Sequence, residues 1–126
     1  MTKWEAIATK HLEGGEVLRG AVPAFSGGGF GRLVIGVTDR RLLMIKSSYT
    51  HFKDRGLLWA DDVSKVRLSG DVIKTTVRGA QSGNAYTTLV RADGTDFKLN
   101  VRRGFLFFPQ SDRHLRTLYA LLPARA

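Results

Sequence analysis

The stretch Leu33–Ile45, LVIGVTDRRLLMI, decides how this chain is read. Two short runs rich in Val, Ile and Leu flank a polar break at Thr38-Asp39-Arg40-Arg41. Apolar runs this short, around so compact a break, predict a β-hairpin with strands over Arg32–Thr38 and Arg41–Lys46. Asp39 suits the turn because it tolerates the left-handed backbone and can bond its own main chain.

The pattern outward from the hairpin stays β on both sides. Glu16–Phe25 reads as a strand, and Pro23, which has no N–H, pushes its end toward an edge or a bulge. Ser26–Gly31, SGGGFG, is a glycine-rich loop. Ser47–Arg55 reads as a longer polar loop. Leu57–Leu68 reads as one strand with an irregular or bulged middle at Asp61-Asp62, followed by punctuation at Ser69-Gly70. Val72–Arg78 is a further strand and Gly79–Asn84 a loop. Ala85–Ala92 and Thr95–Val101 then flank Asp93-Gly94, a signal for a two-residue type I′ turn. Counting outward from that turn predicts Arg91 opposite Asp96, Val90 opposite Phe97, Thr88 opposite Leu99 and Tyr86 opposite Val101. This register places Tyr86, Val90, Phe97, Leu99 and Val101 on one face.

Helical spacing is confined to the two ends. Thr2 and Glu5 match a capping box, and Trp4, Ile7, Ala8, His11 and Leu12 share one face, which predicts a helix over Lys3–Glu13. Gly14-Gly15 stands where a left-handed C-cap is expected. At the other end Ser111 or Asp112 can cap a last helix, with Leu115, Leu118, Tyr119 and Leu122 on one face and Pro123 ending it. The expected fold is therefore mainly β: a seven-stranded antiparallel barrel or sandwich, with a short N-terminal helix and a C-terminal helix capping the open end.

Length and composition bound the rest. The 126 residues fit a single domain. The absence of cysteine removes disulfides, thiol catalysis and cysteine metal sites, and agrees with a reducing cytoplasm. The N-terminus carries glutamates and no continuous apolar core, so no signal peptide is expected. No apolar run approaches the roughly 20 residues that span a bilayer. A cytoplasmic protein is the expectation, with peripheral attachment to a membrane as an addition to it. The formal net charge is +9, and 13 of the 20 basic residues are arginine. Such a balance favours anionic partners. Scattered charges without a long run are nevertheless ordinary for a solvated surface.

Three segments resemble a known family. Leu12-Glu13-Gly14-Gly15-Glu16-Val17-Leu18 and Leu33–Leu43, with its Thr38-Asp39-Arg40-Arg41 corner, are similar to the bacterial pleckstrin-homology-like (PH-like) domains of the YokE type. The stretch Leu57–Val66, with Asp61-Asp62-Val63-Ser64-Lys65-Val66, resembles a later strand of that family. The resemblance covers roughly residues 10–122 of a single domain spanning 1–126. It implies a PH-like fold and carries no catalytic residues with it. Many PH domains hold phosphoinositides through basic residues in the first inter-strand loop. Here that loop is SGGGFG with only Arg32 at its edge, and it lacks the cations needed to grip several phosphates.

Direct chemical signals are sparse. A glycine loop cradles phosphate when a helix follows, but here a strand follows and there is no Gly-Lys-Ser/Thr. His11, His51 and His114 show no ligand spacing, so neither a metal site nor a cofactor is expected. Asp61 and Asp62 are neighbours on a strand and point to opposite faces unless a bulge brings them together. Asp39 and Ser26 lack an identifiable base or nucleophile beside them. No triad or acid–base pair is expected, and the chain reads as a non-enzyme.

Surface candidates carry the functional expectation. Phe105-Leu106-Phe107-Phe108-Pro109 either lids the barrel or forms an exposed patch rimmed by Arg102, Arg103 and Arg113. Phe30 sits within the glycine loop, beside Arg32. If Ser69-Gly70 turns tightly, Lys65 lies opposite Lys74 with Arg67 nearby, a basic face, and Arg78 comes near Asp61. The leading expectation is a binding or assembly module acting on a protein partner or on a second copy of itself. The alternative is attachment to anionic lipid. Nucleic-acid binding ranks below both, because it needs aromatics interleaved with cations on one open sheet face.

Overall fold

A computed structural model describes residues 2–26, 32–47, 53–77, 80–102, 117–118 and 120–122. The hairpin lies where its pattern places it. Strand β2 runs Arg32–Thr38 and β3 Arg41–Ser47, with Val34 opposite Ile45 and Val37 opposite Leu42. Strand β1, Leu18–Ser26, pairs antiparallel with β2, and strand β4, Asp54–Asp62, pairs with β3. Strands β5 (Arg67–Val77), β6 (Ala80–Val90) and β7 (Asp96–Arg102) form a second antiparallel group.

The molecule is mainly β, built as a four-stranded and a three-stranded antiparallel sheet. Among the described residues, the ladder that joins them pairs Phe25 and Ser26 of β1 with Asn100 and Leu99 of β7. The strand order is β4-β3-β2-β1-β7-β6-β5, and among the described residues no ladder joins β4 to β5 into a closed barrel. Pro23 sits opposite Val34, before the pairing with β7 begins, so its missing N–H breaks no ladder on that side.

β2 and β3 are apolar at consecutive positions because both faces of their sheet are covered. Leu33, Ile35, Val37, Leu42 and Met44 face the main core, together with Leu68, Leu89 and Leu99 of the other sheet. Val34, Leu43 and Ile45 face the other way, onto Ile7 and Ala8 of the N-terminal helix α1, Lys3–Thr9. Two glycines permit the closest approaches. A Cβ at Gly36 would stand 2.9 Å from the Ala8 Cβ, and one at Gly20 would stand 2.8 Å from Leu121 Cδ1. At the C-terminal end, Leu118 and Leu122 are buried in the main core, and Leu122 N–H donates to the Leu118 carbonyl. The C-terminal apolar face expected to cap the core is present at these two positions. Leu115 and Tyr119 lie outside the described residues.

Several expectations need correction. α1 forms its capping box but stops at Thr9 instead of Glu13. His11 and Leu12 make tighter bonds back to Ala8 and Thr9, and the His11 side chain and carbonyl are both held by other segments. Gly15 is left-handed at φ 80°, but it serves a turn in which Glu16 N–H bonds the Glu13 carbonyl, not the helix end. The expected strand over Leu57–Leu68 is broken. β4 already begins at Asp54, and a 3₁₀ turn over Val63–Lys65, capped by Asp62, separates it from β5. Ser69-Gly70 is no turn. β5 runs through it, and the ladder steps from Leu68↔Leu89 to Val72↔Thr87, an irregularity absorbed by pairing on both sides. The expected loop over Gly79–Asn84 is strand from Ala80 onward.

The Asp93-Gly94 hairpin exists, but its register is one residue off the expected one. Leu89 faces Phe97, Thr87 faces Leu99, Tyr86 faces Asn100 and Val90 faces Asp96. Arg91 N–H bonds the Thr95 carbonyl, and Gly94, at φ 87°, closes a three-residue loop. A single left-handed glycine at that place makes a type I turn with a bulge, where type I′ would need two left-handed residues. Leu89 is buried as a result, while Val90 is only half-buried. Arg91 is also released from Asp96.

Candidate functional site

The segment ahead of β1 and the β2–β3 corner meet in space. Arg41, the first residue of β3, reaches the loop ahead of β1, and its Nε and Nη2 donate to Glu16 at 2.9 and 2.7 Å. The Glu16 carboxylate also accepts from Glu13 N–H at 3.0 Å and from the Thr38 hydroxyl at 2.7 Å. Thr38 in turn accepts from the N–H groups of Arg40 and Arg41 and so makes the local bonds of the turn. Asp39 uses its carboxylate on Val17 N–H, and its own N–H bonds the Val17 carbonyl. The Arg41 guanidinium beside Glu16 holds that carboxyl well below its ordinary range, at about 2, against the opposing effect of burial. All four acceptor directions of Glu16 are filled, so the corner is a structural clamp with no lone pair left for a substrate.

Next to this clamp, His11 Nε2 and Asp54 Oδ2 stand 2.7 Å apart, which ties the end of α1 to the start of β4. A third polar joint closes the far side of the sandwich. Asp61 accepts from Arg91 at 3.1 and 3.2 Å and from Ala92 N–H at 3.2 Å. The Arg91 guanidinium carbon lies 4.0 Å above the Trp59 ring, and Trp59 meets Phe97 edge-on at 5.6 Å. Trp59 and Asp61 are two apart on β4, hence on one face, so a single arginine from the β6–β7 turn engages both. Asp61 is therefore bonded to Arg91, and the Arg78 expected near it lies outside the described residues. Asp62 points elsewhere and caps the 3₁₀ turn through Ser64. The two aspartates do not form a pair.

The pairing of Lys65 with Lys74 expected from a turn at Ser69-Gly70, with Arg67 nearby, does not occur. Lys65 belongs to the 3₁₀ turn, Arg67 opens β5 opposite Val90, and Lys74 sits opposite Ala85, because β5 never turns back at Ser69-Gly70. Arg32 opens β2 opposite Phe25, and Arg102 closes β7 opposite Asn84. Phe30, Arg103, Phe105, Phe107, Phe108 and Arg113 lie outside the described residues, as do His51 and His114.

The structure adds a surface that the sequence pattern concealed. β4 is a terminal strand of the order, and Leu57 and Leu58 on it are 39% and 41% exposed. The ladder passes from Met44↔Trp59 to Ile45↔Leu57, which leaves Leu58 as an extra residue and sets both leucines outward. In the sequence, Leu57-Leu58-Trp59 looks like the opening of an ordinary strand. Gly56, left-handed at φ 103°, was the available sign of irregularity. No group of metal-ligating side chains gathers among the described residues, and no helix there is long and apolar enough to cross a membrane. Compared with family models, with curated proteins and with solved structures, the chain matches none.

Proposed function

We propose that this chain is a non-enzymatic binding or assembly module with a PH-like fold, acting through protein–protein contacts. The observation that carries the reading is the exposed Leu57-Leu58 step on a terminal strand. Adjacent leucines at a sheet edge are costly to leave in water and are best explained by a protein surface that covers them. The polar clusters support the same reading, because Glu16, Arg41, Asp61, Arg91, His11 and Asp54 are each bonded within the fold. The PH-like likeness draws support from the order of elements: a helix, seven antiparallel strands, and a C-terminal turn whose leucines enter the core.

Light scattering on the purified chain, alone and after its recovery with bound proteins, tests the proposal. A complex that dissociates in Leu57→Asp or Leu58→Asp is expected. A chain that stays monomeric and retains no protein under any condition overturns it.

Attachment to an anionic membrane is the second reading, favoured by the net charge of +9 and by exposed Arg19, Lys46, Lys65, Arg67 and Lys98. Salt-sensitive cosedimentation with acidic vesicles is its signature, and failure to bind them at low salt excludes it. Nucleic-acid binding stands third, since Trp59 and Phe97 pack on the core instead of offering open faces to bases.

A further inference from the structure

We draw no further inference here: the strongest candidate, the exposed Leu57-Leu58 patch on the terminal strand β4, carries nothing beyond the reading above, because Lys53 ahead of it is engaged within the chain, Asp62 beyond it caps the 3₁₀ turn through Ser64, and nothing in the structure shows what covers the leucines.

Discussion

Arg41 grips Glu16 through two nitrogens, with 2.7 Å from Nη2 to Oε1, at a carboxylate whose side chain is only 1% exposed. The bond spans 25 residues and fastens the loop before β1 to the β2–β3 turn. Thr38 and Glu13 complete the shell around the carboxylate. The corner therefore sets how β1 enters its sheet. Glu16→Gln preserves shape but removes the buried counter-charge of the half-buried guanidinium, which keeps only the exposed Glu13 carboxylate at 3.5 Å. It should lower stability by about 2–3 kcal/mol in urea unfolding. Arg41→Lys, which cannot make the forked contact, should lose a similar amount. If both variants unfold like wild type, the clamp is not what holds this corner.

The same carboxylate predicts an acid limit. Its value in the folded chain lies at about 2, lowered mainly by the Arg41 hydrogen bonds. A depressed carboxyl contributes stability above its unfolded value, and that contribution disappears as pH falls toward the folded value. Stability should therefore decline between about pH 5 and pH 2, by on the order of 2 kcal/mol from this group. Glu16→Gln should flatten that part of the curve, which urea midpoints measured across the range would show.

The two close-packed glycines should respond differently to alanine. At Gly36 the added methyl meets the Ala8 Cβ, which cannot move without shifting α1, so a loss of about 1–3 kcal/mol is expected. At Gly20 it meets the tip of the Leu121 side chain, which can rotate away. There the loss should stay under about 1 kcal/mol, offset by the lower backbone entropy of alanine. Parallel denaturation curves decide it, and equal losses would contradict the packing.

Arg91 couples the edge strand to the β6–β7 turn. A double-mutant cycle with Arg91→Ala and Asp61→Ala should return a coupling of about 1 kcal/mol, because both side chains keep some solvent access. Arg91→Lys retains the charge but loses the flat contact over Trp59 and should recover only part of it. A coupling near zero would mean that the joint follows the packing of the two sheets without contributing to it.

Leu118, fully buried, is the anchor of the C-terminal end in the main core. Leu118→Ala should destabilise the whole domain by about 2–5 kcal/mol, in one cooperative transition. A separate early transition would show that this end docks independently of the sheets.

Local chemistry was sufficient wherever neighbours in sequence satisfy each other. Thr2 and Glu5 announced the start of α1, and the runs around Thr38–Arg41 announced β2 and β3. Asp93-Gly94 announced a hairpin, but not which of two turns it makes. That choice depends on which face of β6 is buried, and the core selects Leu89. Ser69-Gly70 carried turn chemistry that a continuous ladder overrode. Leu57 and Leu58 read only as the start of a strand, because composition cannot say which strand ends the sheet or where a bulge falls.

The sequence by itself determined that the chain is mainly β, where its central hairpin lies, and that polar residues crowd the corner of that hairpin. Only the tertiary structure decided what those residues do. Glu16 finds Arg41, Asp61 finds Arg91, and His11 finds Asp54 across 25, 30 and 43 residues. Hydrophobic period is a property of neighbours along the chain and can be read from it. Partner choice among charges, and the exposure of one edge strand, follow from how two sheets close on a shared core.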